Sequence, residues 1–219
     1  MDPHPVPRDA QNATRFSRQN PGGRPHPIVH LIGFIIVLVG VIVAHLFPPT
    51  DGSGWIRQFA KFWSHTGNDV FLTLSIGGLV YLAWREKSRL AFWRVAAPLL
   101  TETAIMQTVQ KVSFHVFGLW PRPSGTDGGF PSGHTAASCV MAYLLTERYP
   151  LLAPVWYGIG ALITWSRVEA GAHYPYQLIG GVILGFATVL LMVPRFYPRP
   201  VPPPNSPGLP AEDSPTAAP

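Results

Sequence analysis

Three short polar clusters interrupt an otherwise apolar chain of 219 residues: Lys111 to Pro123 (KVSFHVFGLWPRP), Pro131-Ser132-Gly133-His134, and Ser166-Arg167 through to His173. Together they hold what a phosphate ester needs for cleavage. Lys111, Arg122 and Arg167 supply three cations, and the two guanidinium forks match phosphate oxygens bidentately. Ser132 and Gly133 stand where a helix begins, so their backbone N–H groups are expected to point at an anion. His134 and His173 offer one proton donor and one nucleophile, the pair that a two-step displacement uses. No HExxH and no carboxylate cluster is present to hold a metal, so no cofactor is expected and the arginines would carry the electrostatic work.

These clusters must be positioned by helices, because the residues around them form long apolar runs. Ile28 to Phe47 contains no Asp, Glu, Lys or Arg in twenty residues. At ~1.5 Å per residue it is ~30 Å long, the thickness of a bilayer core. Further runs cover about 70–84, 93–117, 133–149, 151–165 and 176–193, the last rich in small residues (GGVILGFA) suited to close helix packing. The expected fold is all-α: a six-helix transmembrane bundle over 28–193, flanked by Pro-rich tails at 1–27 and 194–219. Sixteen of the 25 prolines lie in those tails, whose composition reads as disordered. The segment Gly54–His65 sets Ile56, Phe59, Ala60 and Trp63 on one helical face and Arg57 and Lys61 on another. It is expected to lie in the membrane interface as a wall or gate for lipid substrates.

Composition excludes several alternatives. One cysteine, Cys139, forms no internal disulfide and no Cys-based zinc site. The pI of 9.7 comes without a clustered basic stripe, so no nucleic-acid partner is expected. A secretory signal is not expected either, since the first apolar run follows 27 polar, Pro-rich residues. With the N-terminus cytoplasmic, eleven Lys/Arg fall on the inner side and five on the outer, so both termini are placed inside. Parity then puts all three polar clusters on the opposite, non-cytoplasmic face. The expected setting is an integral protein of the cell (inner) membrane with the bilayer and a membrane lipid as partners.

The motifs PSGH (131–134) and SR-x5-H (166–173), preceded by Lys111 and Arg122-Pro123, resemble the signature of the type-2 phosphatidic acid phosphatase superfamily. That superfamily includes lipid phosphatases, polyprenyl-diphosphate phosphatases, glucose-6-phosphatase and vanadium haloperoxidases. The resemblance implies that His173 is the nucleophile and forms a phosphohistidine, and that His134 protonates the leaving group. It further implies that Lys111, Arg122, Ser132, Gly133 and Arg167 hold the phosphate oxygens, with vanadate as an inhibitor and no metal. Two positions depart from the pattern. The family's lysine stands seven residues before the arginine of RP, where this chain has His115; Lys111, one helical turn earlier, is the preferred ligand and His115 a supporting residue. The family's carboxylate four residues after the nucleophile is Gln177, which can still accept the Nδ1 proton of His173. Glucose-6-phosphatase resembles the chain in that glutamine.

Outside the motifs, His30, His45 and His65 are read as structural. Glu102 sits too deep to touch the phosphate and is expected to be a paired polar group within the bundle. Asp127 is expected in a turn, and Glu169 either orients Arg167 or meets solvent. The function expected is hydrolysis of a lipid-linked phosphate monoester or diphosphate: phosphatidic acid, phosphatidylglycerophosphate or a polyprenyl diphosphate. The alternatives are a sugar-phosphate phosphatase, a lipid phosphotransferase and a catalytically silent membrane scaffold. Oligomeric state is not readable from the sequence.

Overall fold

The computed structural model describes residues 25–196 apart from 48, 50–53, 119 and 127. The outer parts of the two Pro-rich tails, 1–24 and 197–219, and the turn expected at Asp127 lie outside the described residues. Among the described residues the regular structure is all helical, without strands. Its α-helices are α1 Pro27–Leu46, α2 Trp55–Phe62, α3 Asn68–Arg85, α4 Arg89–Lys111, α5 Gly133–Arg148, α6 Ala153–Glu169 and α7 Pro175–Met192. The six apolar runs correspond to α1 and α3 to α7.

Local chemistry explains where these helices start. Pro27 is the first residue of α1, and the His26 imidazole accepts from the Ile28 N–H at 3.3 Å. Ser88 caps α4 by accepting from the Ala91 N–H at 3.1 Å. Pro175 opens α7, and the Gln177 amide oxygen reaches back to the Tyr174 N–H at 3.1 Å.

The interfacial helix expected over 54–65 ends at Phe62 and continues without a break into α3. A π-helical turn, Trp63–Gly67, joins them. A second π turn, Val112–Val116, extends α4. Each places its residues off the ordinary helical register, and the second lies within the Lys111–Pro123 cluster.

Helix α5 runs through the centre of the bundle, and nearly all its residues from Thr135 to Thr146 are buried. Cys139 and Ala142 face one apolar cluster with Val37, Val41, Tyr157, Val182 and Phe186. Val140, Met141 and Leu144 face the other, with Phe71, Leu79, Val95, Ile163 and Val189. The helix bearing PSGH is therefore held from both sides. Its closest neighbour is α7, through Gly181-x3-Gly185. A Cβ at Gly181 would stand 2.6 Å from the Ser132 carbonyl oxygen, and one at Gly185 2.6 Å from that of Ala136. This spacing of small residues lets the two backbones approach.

Away from the site the bundle is tied by a buried polar group. His30 stacks on Tyr143 at 3.9 Å. Its Nε2 donates to Glu147 at 2.9 Å, and Nδ1 accepts from the Tyr157 hydroxyl at 2.8 Å. The structural reading of His30 thus acquires named partners on α5 and α6. Two helices, Pro27–Leu46 and Pro175–Phe196, are long and apolar enough to cross a membrane. Helices α5 and α6, of 16 and 17 residues, are shorter than the ~20 residues that match a bilayer core.

Gly185→Val forces a branched side chain against the Ala136 carbonyl. It is expected to cost about 1–3 kcal/mol, read as a lower midpoint of unfolding in detergent. An unchanged midpoint would refute close α5–α7 packing.

Candidate active site

The spacing of Arg167 and His173 follows from how α6 ends. The helix reaches Glu169, and Gly171 takes φ +72°. The Gly171 N–H donates to Val168 O at 2.8 Å and the Ala172 N–H to Arg167 O at 2.9 Å, the paired bonds of a Schellman cap. The His173 N–H donates to the same Arg167 carbonyl at 3.1 Å. The cap therefore folds the chain back, so that His173 comes beside the last turn that carries Arg167. Glycine suits the left-handed position because it has no Cβ to clash.

His173 is 2 % exposed. Its Nδ1 lies 3.0 Å from the Gly129 carbonyl and 3.0 Å from Gln177 Oε1. Both neighbours are acceptors, so Nδ1 carries the proton and Nε2 keeps its lone pair. Nε2 is buried with no hydrogen-bond partner. Burial first, then the positive field of Arg167 and Arg122, lowers the imidazole to a pKa of about 3, against the raising effect of its bonds to Gln177 and Gly129. The ring is thus neutral at physiological pH.

Gln177 is fully buried, and its two ends have different surroundings. The oxygen accepts from His173 and from the Tyr174 N–H. The nitrogen donates to Pro121 O at 2.9 Å, Trp120 O at 3.4 Å and the Tyr176 hydroxyl at 3.2 Å. Its backbone carbonyl accepts from the Ser132 N–H at 3.0 Å. One residue therefore joins all three polar clusters. The carbonyls on the nitrogen side also account for an amide where the family has a carboxylate, since an ionised acid would there face two carbonyl oxygens with the Tyr176 hydroxyl as the one donor beside them. Gly129 permits this approach: a Cβ there would stand 2.1 Å from Trp120 O and 2.5 Å from Gln177 Nε2.

Arg167 is 1 % exposed. Its Nη1 donates to the Ser64 carbonyl and, at 2.7 Å, to the Ser64 hydroxyl. Its Nε is buried without a partner. Ser64, itself fully buried, lies in the π turn between α2 and α3. Arg122 is held by its own loop. Its N–H donates to Thr126 O at 2.9 Å, its carbonyl accepts from Gly125 N–H at 2.8 Å, and its Nε donates to Gly128 O at 3.1 Å. His134, in the first turn of α5, lies in the electrostatic field of Arg167, Asp69, Arg122 and His65. The structure thus gathers Arg122, His134, Arg167, His173 and Gln177, and adds Ser64, Asp69 and His65.

Several expectations change in detail. The Ser132 N–H is engaged by Gln177 O, so it does not point at an anion. The Ser132 hydroxyl is instead the buried group without a partner. Gly133 lies under Met106, whose Cε would be 2.9 Å from a Cβ. On α4, Gln110 is the residue that reaches the site, donating to Pro131 O at 2.7 Å. Lys111 and His115 are exposed on the adjoining turn, and the π turn disturbs the i, i+4 register that set them on one face. Glu102 is buried with one oxygen accepting from Thr103 at 3.2 Å and the other without a partner, so it is only half paired. Glu169 is buried, not at the solvent. Among the described residues no three His, Cys, Asp or Glu side chains gather as a metal site.

Ser64, Asp69 and Gln110 lie outside the residues that the motifs single out, and His65, expected to be structural, stands with Asp69 near His134. The run Ser64-His65-Thr66-Gly67-Asn68-Asp69 is a polar interruption leading into an apolar helix, and it was the available signal. Asn68, fully buried, donates to Asp69 Oδ1 at 3.2 Å.

Gln177→Glu leaves the carbonyls of Pro121 and Trp120 without their donor, at about 1–3 kcal/mol for each unpaired group. It is expected to lower the unfolding midpoint, and a glutamate variant at least as stable as the parent would overturn the assignment. Ser64→Ala removes one charge-assisted bond from Arg167. Phosphate release, assayed at subsaturating substrate, is expected to fall roughly ten- to hundredfold; an unchanged rate would mean that Ser64 does not position the guanidinium.

The sequence model of the PAP2 superfamily matches residues 91–200, half of the chain, and that stretch contains Arg122, PSGH and SR-x5-H. No curated protein and no solved structure matches it. A site built from these motifs and a family match across them agree, and the chain belongs to the PAP2 superfamily, with a function of the phosphatase type.

Proposed function

We propose that the chain is an integral-membrane phosphatase that hydrolyses a lipid-linked phosphate monoester or diphosphate through a phosphohistidine, without a metal. The observation that carries this reading is His173 Nε2, a buried lone pair without a partner beside two guanidinium groups. In the first step Nε2 attacks phosphorus and a P–N bond forms. The P–O bond to the leaving group breaks, and His134 gives its proton to the departing oxygen. In the second step water attacks phosphorus while His134 takes its proton. The P–N bond breaks, releasing inorganic phosphate and restoring Nε2. Arg122 and Arg167 hold the charge on the equatorial oxygens throughout, with the Ser132 hydroxyl as a further ligand.

A lipid-linked substrate is supported by the surroundings of the site. An apolar cavity of about 360 Å³ lies beside Trp120, walled by Val109, Val112 and Phe117. Trp120 is also the residue whose carbonyl meets Gln177, so the cavity adjoins the nucleophile's support. The α2 helix exposes Trp55, Phe59 and Phe62 and leads directly into Ser64, as a membrane-facing wall of the site would. On α1, the buried residues His30, Gly33, Val37, Val41 and Ala44 recur at helical spacing, while Ile28, Leu31, Ile32, Ile35, Val39 and Ile42 are exposed. An apolar outer face of this kind suits hydrocarbon. In this reading α1 and α3 to α7 form one bundle in the inner membrane, with both termini cytoplasmic and the site on the opposite face.

The test offers the purified protein phosphatidic acid, phosphatidylglycerophosphate, undecaprenyl diphosphate and glucose 6-phosphate, in the presence of EDTA, with His173→Ala as control. Phosphate is expected from at least one lipid substrate and not from the control. Release from glucose 6-phosphate alone would transfer the reading to sugar phosphates, and release that survives His173→Ala would refute it. The pH dependence is a second check. A histidine of ordinary pKa would lose roughly thirtyfold of its neutral form between pH 7 and pH 5. With His173 lowered to about 3, single-turnover phosphohistidine formation is expected not to fall over that range. A tenfold decline would contradict the assignment of Nε2.

A further inference from the structure

Helix α3 is 18 residues long, so its far end lies roughly 27 Å from the Asp69 end that faces the active site. There the chain turns into α4 around a cavity of about 690 Å³. Arg85, Lys87 and Arg89 line it, no acidic residue does, and Val80, Trp84 and Phe92 give it apolar walls. The nearest carboxylate in sequence, Glu86, accepts from Arg148 at 2.8 Å. A recess large enough for a headgroup and part of an acyl chain is thus left with three cations at its rim.

The turn carries a second sign. α3 closes with the same paired bonds as α6, Lys87 N–H to Trp84 O at 3.0 Å and Ser88 N–H to Ala83 O at 3.0 Å. In α6 the left-handed residue of the motif is Gly171. In α3 it is Lys87, with φ +50°, a conformation that a lysine resists and a glycine adopts freely. A side chain has been kept where the backbone favours none, and that side chain lines the cavity.

We infer that this cavity at the α3–α4 turn binds the headgroup of an anionic phospholipid, with an acyl chain along Trp84, Val80 and Phe92, as a site separate from the catalytic one. Charge selects the occupant. A phosphodiester with no compensating cation is complementary to two guanidinium groups and an ammonium, whereas a choline headgroup brings its own positive charge. The inference rests on the membrane reading above and is independent of the catalytic steps.

The test uses the full chain purified in neutral detergent, titrated with phosphatidylglycerol or phosphatidylcholine, with retained lipid counted by native mass spectrometry. One phosphatidylglycerol is expected to be retained in preference to phosphatidylcholine, and excess inorganic phosphate is expected not to displace it. A cation beside an anionic headgroup contributes roughly fivefold in affinity. The combined variant Arg85→Gln, Lys87→Gly, Arg89→Gln should therefore lose at least about tenfold in retention while keeping phosphate release. Lys87→Gly alone should unfold no earlier than the parent, which separates lost binding from lost folding. Equal retention of the two lipids, displacement by phosphate, or undiminished retention by the combined variant would overturn the site. A chain that releases phosphate but holds the two lipids equally loses this inference and keeps the phosphatase reading. One that holds phosphatidylglycerol and releases no phosphate does the reverse.

Discussion

The amide of Gln177 is the joint on which the rest of the site depends. Its oxygen fixes the tautomer of His173, its nitrogen secures the Trp120-Pro121 backbone, and its own carbonyl takes the Ser132 N–H. Each of these bonds reaches a different polar cluster, and all are made from the first turn of one helix. Removing a buried amide of this kind leaves several partners unsatisfied at once, which costs more than any single bond contributes. The same arrangement explains the neutral side chain. A carboxylate would suit the imidazole but oppose the carbonyls, and with His173 kept neutral by burial there is no resting positive charge for it to stabilise.

Positioning of the cations is equally dependent on helix ends and irregular turns. Arg167 is nearly inaccessible, and burying a guanidinium is costly unless its donors are used. Ser64 supplies a carbonyl and a hydroxyl for that purpose, from the π turn between α2 and α3. Arg122 is held by the carbonyl of Gly128, one residue before the glycine whose carbonyl meets His173. His173 and both guanidinium groups are thereby tied to backbone atoms, which move less than side chains. Such preorganisation is what charge stabilisation in a transition state requires.

At the opposite end of the bundle the polar groups serve other ends. His30, Tyr143, Glu147 and Tyr157 satisfy one another across α1, α5 and α6, and Arg148 with Glu86 joins α5 to the α3–α4 turn. Helix α5 therefore carries PSGH at one end and a structural staple at the other. Gly181 and Gly185 seat α7 along its length.

Much of this was legible in the chain itself. The apolar runs marked six helices, and the starts of α1 and α7 were close because Pro27 and Pro175 act within one turn of their own position. The pairing of Arg167 with His173 was readable for the same reason, since a glycine cap brings residues six apart together through local hydrogen bonds. What the tertiary structure alone decided were the partners remote in sequence. Ser64 meets Arg167 from 103 residues away, the Trp120 and Pro121 carbonyls turn toward Gln177, and the Ser132 N–H is used internally. Gln110, one position from Lys111, makes the contact from α4, because packing against Pro131 selects a helical face that residue type does not. Local propensity acts through neighbours along the backbone and is written in the sequence, whereas the choice among equally suitable donors and acceptors is made only when the helices pack.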